Sequence, residues 1–181
     1  WNEFCNWYIE IVKHRFREGD IVSKSNSFNI SKKIIKEVVL LLHPIAPFIS
    51  EEIWNHLKDD NEKDIIISSW PKAKNIDISH NKDEILDFKE IVTSIRTIRS
   101  ELNIPPSKKI DVIAYAKNEL IKSRLNSLVD LIKSLSNSEN LNLSLEKEKP
   151  ENSAVAVCKS VELYIPLGDL VDKDEELAKL N

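Results

Sequence analysis

At Pro105-Pro106 the apolar rhythm of the chain changes, and that change limits what the chain can fold into. Ahead of it, apolar residues return every three or four positions. Ile85, Phe88, Ile91, Val92, Ile95, Ile98 and Leu102 form one stripe across residues 83–102, the signature of an amphipathic helix. Behind it, residues 109–116 (KIDVIAYA) alternate with a period near two, as a half-buried strand does. The two prolines mark the join. The residue before a proline avoids helical backbone, and proline itself lacks the N–H that a helix interior needs.

The same rules divide the rest of the chain. Residues 1–17 fit a helix stopped by Gly19-Asp20, and residues 21–29 (IVSKSNSFN) read as a polar connection. Residues 30–43 place Ile30, Ile34, Val38, Leu41 and Leu42 at helical spacing, with Lys32, Lys33 and Lys36 opposite. A further helix starts near Pro47, which suits a first turn, and carries Phe48, Ile49, Ile53, Trp54 and Leu57 inward. Residues 65–70 (IIISSW) are too short for a helix and read as extended. Residues 119–135 form one helix, residues 141–146 alternate strictly, and 154–158 with 161–165 make a hairpin around Lys159-Ser160. The tail from Asp172 begins a charged helix. The fold class expected is mainly α: a helical bundle to residue 104, then a small α/β unit of β-α-β-β-β order.

Composition excludes several functions. Gly19 and Gly168 are the only glycines, too few for phosphate-cradling loops that need close backbone approach. His14, His43, His56 and His80 are scattered and form no HExxH or other ligand pair, so no metal site is expected. Cys5 and Cys158 read as buried thiols of a cytosolic, cytoplasmic protein. No apolar run approaches a membrane span. The chain has neither a signal peptide nor a methionine, and is read as a fragment of something longer. No nucleophile elbow or base pairing is visible, and no catalytic residue is assigned.

The net charge of −4 conceals alternating blocks. Residues 1–36 carry seven Lys/Arg against four Asp/Glu, and residues 89–124 carry eight against four. The intervening 37–88 and the final 139–181 are acidic. Positive blocks that meet in space can hold a polyanion; ordinary solvated faces would give the same count.

Two faces stand out. On a wheel of about 100° per residue, Trp1, Phe4, Cys5, Tyr8, Val12 and Phe16 share a core face, with Ile9 and Ile11 at its edges. Trp7 falls elsewhere, with Glu3, Glu10 and His14; Asn2, Asn6, Lys13 and Arg17 line the flank beyond Ile9. A ring among amides and carboxylates can stack on an unpaired base while its neighbours read the base edge. The other reading packs Trp7 under a neighbouring helix or loop. On the 83–102 helix, Lys89, Thr93, Arg96, Arg99, Ser100 and Asn103 run down the side away from the apolar stripe, followed by Ser107, Lys108 and Lys109. Cations one helical turn apart can meet successive phosphates; a solvated helix face is the alternative.

WNEFCNWYIEIVK, LLHPIAPFISEEIW, SSWPK, IRTIRSELNIPPSKKI and VELYIPLGDLVD occur in order over about residues 1–178. Together they resemble the C-terminal part of bacterial valyl-tRNA synthetases, which are class I aminoacyl-tRNA synthetases. LLHPIAPFISEEIW is shared with isoleucyl and leucyl relatives; the RSELNIPPSKK and NEFCNWYIE stretches are more specific for the valine enzyme. The resemblance implies an anticodon-binding bundle over 1–104 with its first helix truncated, a small α/β subdomain over 105–173, and the start of a truncated C-terminal helix or coiled coil over 174–181. It implies a parent that joins valine to its tRNA using ATP with Mg, on catalytic and editing domains outside these residues, and no cofactor within them. The partner implied is the anticodon stem-loop of tRNA. Val22-Ser23-Lys24-Ser25 only superficially resembles the KMSKS loop of such enzymes, since no doubly wound sheet precedes it.

Family contacts to anticodon bases map onto Ile9 and Glu10, with Asn6, where aspartate is commoner, and Lys13 nearby. Trp7, Arg17, Arg96, Arg99, Lys108 and Lys109 are the candidates for stacking or backbone contact. The alternatives are the same domain of an isoleucyl or leucyl enzyme, or a helical protein-interaction module without RNA binding.

Overall fold

The computed structural model describes residues 2–73, 75, 82–147 and 149–168. The chain divides into two compact units, residues 1–76 and 77–181.

The first unit is helical. Its helices are α1 (Ile9–Glu18), α2 (Ile21–Leu42) and α3 (Pro47–Leu57), with α2 packed against both others. A π-helical turn, Phe4–Tyr8, leads into α1, and the Ile9 N–H donates to the Phe4 carbonyl five residues back. α1 closes on Gly19, whose N–H donates to the Arg15 carbonyl at 2.8 Å. A Cβ at position 19 would lie 2.4 Å from that oxygen, so the closure needs a glycine. Asp20 then caps α2, its Oδ1 accepting from the Ser23 N–H at 2.6 Å.

That cap corrects the reading of residues 21–29 as a connection. They are the first turns of one 22-residue helix. Serine and asparagine favour turns because they compete for backbone hydrogen bonds, but here Ser31 Oγ donates to the Ser27 carbonyl at 2.7 Å inside the helix. Ser27 itself is buried.

Pro47 sits in the first turn of α3, where its missing N–H costs nothing. Ser50, fully buried, donates back to the Ala46 carbonyl at 2.7 Å and lies 2.8 Å from His43 Nδ1. The core of this unit is Val39, Trp54 and Ile65, with Ile35, Leu40 and Ile53 packed against it. Trp54 Nε1 donates to the Lys63 carbonyl at 3.0 Å, and the Lys36 ammonium lies 5.5 Å from the centre of its ring. Ile65–Ile67 forms a 3-10 turn where an extended segment was expected, and it drops Ile65 into this core. Lys32 and Lys36 reach Asp59, and Lys36 also reaches Glu62, tying α2 to the segment after α3.

The second unit packs α4 (Lys82–Glu101), α5 (Glu119–Asn126) and α6 (Val129–Ser136) with a four-stranded sheet. The strands are β1 (Ile110–Ala116), β2 (Ser138–Ser144), β3 (Ser153–Val157) and β4 (Val161–Pro166), in the spatial order β2-β1-β4-β3. β1 and β2 run parallel and the other two pairs antiparallel. The expected strand order is therefore present. The helix expected over 119–135 is two, broken at Ser127-Leu128, where Ser127 Oγ donates to the Arg124 carbonyl at 2.9 Å.

By packing, the boundary between units precedes α4, whereas the sequence reading placed this helix in the bundle. Its stripe of Phe88, Ile91, Val92, Ile95 and Ile98 is buried, and the helix packs with α5, α6, β3 and β4. Amphipathic spacing requires that a face be covered and is silent on the neighbour that covers it. Among the described residues no helix is long and apolar enough to cross a membrane.

Candidate nucleic-acid interface

The first candidate face is built at the entry to α1. Asn6 and Trp7 lie inside the π-helical turn, and Ile9 and Glu10 follow it directly. A π-turn carries one residue more than an α-turn, so it shifts the side-chain register between the residues before and after it. A wheel drawn at constant angle cannot show this. The consequence is visible at Phe16, expected in the core but 43% exposed, whereas Val12 is buried. Phe4 and Tyr8 stack at 5.6 Å between ring centres. Trp1 lies outside the described residues.

Asn6 and Lys13 are exposed; Trp7, Ile9, Glu10 and His14 are half-buried. The Lys13 ammonium is 2.6 Å from Glu10 Oε1. This pair is solvent-facing and contributes little to stability. Its chemical use is different. An ionised carboxylate offers about four lone-pair directions, and one is taken by Lys13, so Glu10 is held in place and can still accept from base N–H groups. Ile9 beside it supplies an aliphatic surface for a base face. Arg17 is exposed in the last turn of α1.

The second candidate face belongs to the other unit. Arg96, Arg99, Lys108 and Lys109 do sit on or just after the α4 helix, but their surroundings differ. Arg99 is only 7% exposed. Its Nη2 donates to the carbonyls of Pro105 at 2.9 Å and Lys108 at 2.8 Å, and its Nη1 to the carbonyl of Asn137 at 3.3 Å. Burial pulls its guanidinium below the ordinary arginine value. The placement of Arg99 as a phosphate contact is corrected: its donors are spent inside the protein, where they clasp the 103–108 turn and the end of α6. Helical spacing put Arg99 beside Arg96; only the fold of the turn over it removes it from the surface.

Arg96 stays exposed, with Nε and Nη2 donating to the Leu135 carbonyl at 3.1 and 2.8 Å. Both arginines thus satisfy carbonyls at the C-terminal end of α6. Lys109 is exposed and pairs with Glu139 at 2.8 Å; Lys108 is half-buried. Sequence reading passed over Asn137, whose left-handed backbone (φ 53°) ends α6 and whose amide donates to the Pro106 carbonyl. Asparagine after a helical stripe was the available signal.

Among the described residues no group of three His, Cys, Asp or Glu lies close enough to hold a metal.

A family model described as the anticodon-binding domain of tRNA ligase matches residues 1–114. Curated relatives extend the likeness through the second unit. The valine–tRNA ligase of Halalkalibacterium halodurans is 37% identical over 181 residues, 99% of this chain and 20% of the relative. That of Clostridium tetani is 37% identical over 185 residues, 100% of this chain and 20% of the relative. That of Bacillus anthracis is 33% identical over 181 residues, with coverages of 99% and 20%. The chain spans about a fifth of the length of these relatives.

Proposed function

The chain belongs to the family of anticodon-binding domains of tRNA ligases, and on that premise we propose that it docks the anticodon stem-loop of a tRNA for a longer valine–tRNA ligase. The observation that carries this reading is the strip at the entry to α1. There Asn6, Ile9, Glu10 and Lys13 combine an aliphatic surface, an amide and a carboxylate steadied by an ammonium 2.6 Å away. Unpaired bases are recognised by that combination, through packing on a face and hydrogen bonds along an edge. Trp7, half-buried in the π-turn, is placed to stack at the border of the strip. Arg17, Arg96, Lys108 and Lys109 are proposed backbone contacts in their own units; Arg99 is left out because its donors are engaged internally.

In the parent, valine would be activated with ATP and Mg and passed to the tRNA on catalytic and editing domains outside these residues, in the cytoplasm. No step of that chemistry is assigned to a residue here. This segment would contribute selection: binding energy from the anticodon end, added to whatever holds the acceptor end.

The test is Glu10→Ala in the full-length ligase. A base-edge contact is worth about 1–3 kcal/mol, so kcat/KM for tRNA should fall by roughly tenfold to a hundredfold, with ATP-dependent valine activation unchanged. Equal losses in both steps would refute the role. Changing the middle and third anticodon bases should abolish charging selectively; charging that follows an isoleucine or leucine anticodon would reassign the amino acid.

A further inference from the structure

The first unit leaves a concentrated apolar surface where α2 turns into α3. Within nine residues, Leu41 is 48% exposed, Ile45 83%, Phe48 90% and Ile49 54%, with Leu42 at 36%. The stripe of α2 leads into it. Ile30 and Leu41 share one side of that helix with the half-buried Ile34 and Val38, while the residues seated against Trp54 and Ile65 are Val39, Ile35 and Leu40. The helical spacing that signalled a core face in the sequence therefore belongs to a face that is largely open. Single exposed apolar residues are ordinary; five in one tight turn at the end of an apolar stripe mark an interaction surface.

The turn is not a loose end. His43, Ser50 and Ala46 fix it by hydrogen bonds of 2.7–2.8 Å, and Pro47 sets the first turn of α3. A phenylalanine held 90% exposed on such a frame is presented to something. Glu52, one turn on, is exposed and lies 3.2 Å from His56, so the apolar surface gives way to a polar rim along α3.

We infer that the Leu41–Ile49 surface is the seat of an apolar segment from the remaining part of the parent ligase chain. The inference rests on this chain being part of a longer ligase and not on its anticodon contacts. Relatives carry the matched segment inside chains about five times as long. A partner in the same polypeptide acts at millimolar effective concentration, far above that of a second copy at cellular abundance, so a surface of this kind is filled intramolecularly first. A second copy is the competing occupant.

The test places a photo-crosslinking benzoylphenylalanine at position 48 of the full-length ligase, with mass spectrometry of the products. A cross-link to a peptide of the same chain outside these 181 residues is the expected result. A cross-link between two copies, or recovery of only unlinked probe, overturns the inference. The intact mass of the native protein separates a failed docking site from a failed premise, since a native polypeptide of 20.9 kDa would remove the longer chain altogether. A second variant, Phe48→Asp, should leave the thermal midpoint of the 181-residue chain unchanged, because the ring is exposed there. In the full-length ligase it should raise proteolytic cleavage near the turn about tenfold, by opening a protected site. Equal cleavage of the full-length variant and its parent would count against the docked state.

Discussion

Replacing Arg99 by methionine tests whether the buried guanidinium is a structural clasp. Methionine keeps most of the length and apolar stem while removing every donor. Two of the bonds lost are short, to Pro105 and Lys108 at 2.9 and 2.8 Å; the third, to Asn137, is 3.3 Å. Hydrogen bonds from a charged donor contribute about 1.5–3 kcal/mol each, so the two good ones set a gross loss of roughly 3–6 kcal/mol. Two effects reduce it. Methionine does not incur the desolvation that lowers the Arg99 pKa, and the Pro105 carbonyl still accepts from the Lys108 N–H at 3.0 Å. The net cost is about 2–4 kcal/mol, which for a unit near a hundred residues lowers its midpoint by roughly 10–25 °C. The assay follows from where the chromophores lie. Trp1, Trp7, Trp54 and Trp70 all belong to the first unit, while Tyr115 and Tyr164 meet edge to face at 5.3 Å in the second. Thermal unfolding followed by near-ultraviolet tyrosine dichroism should shift; tryptophan fluorescence should not. An unmoved tyrosine transition would refute the clasp, and equal shifts in both signals would refute the independence of the two units. Arg99→Lys keeps the charge but cannot fork between three carbonyls, so it should show at least half the methionine effect.

Trp54→Ala removes the centre of the small first core together with the bond to Lys63, at a cost of about 3–5 kcal/mol; helical dichroism should drop while the tyrosine signal of the second unit persists. Gly19→Ala brings a Cβ within 2.4 Å of the Arg15 carbonyl oxygen, and the forced backbone shift should lower the tryptophan-detected urea midpoint by the equivalent of about 1–3 kcal/mol. The carboxyls of Asp59 and Glu62 are held below their ordinary values, first by hydrogen bonds from Lys32 and Lys36 respectively. Their contribution is therefore complete above about pH 4–5, the ordinary carboxylate range, and is lost as pH falls through the lowered folded values. The tryptophan-detected midpoint should fall on acidification across that window, and Lys36→Met should make the fall shallower.

Element types were legible wherever one local rule sufficed. The stripe of α4, the period-two run of β1, Pro47 in a first turn and the β3–β4 hairpin each follow from spacing within a dozen residues. The misses share a cause. Ser23 to Asn29 resemble a loop by composition, but the Asp20 cap and the burial of Ser27 hold them in α2. The π-turn at Phe4–Tyr8 leaves the pattern of apolar residues almost unaltered while moving Phe16 out of the core. For the candidate site, the residue types of the α1 strip were readable. The steadying of Glu10 by Lys13 and the withdrawal of Arg99 were not, because each depends on where a neighbouring side chain or turn comes to rest.

What the sequence determined alone is therefore the list of parts: helices ahead of Pro105-Pro106, alternating strands behind it, and motifs specific enough to place the chain among the anticodon-binding domains of tRNA ligases. Periodicity and motif are properties of neighbours along the chain, so they survive without coordinates. What the tertiary structure decided is assignment. It put α4 with the sheet, turned one of two adjacent arginines inward as a clasp, and left the apolar stripe of α2 largely open with Phe48 beyond it. Burial is a relation between distant segments, and only the folded chain specifies which segment covers which.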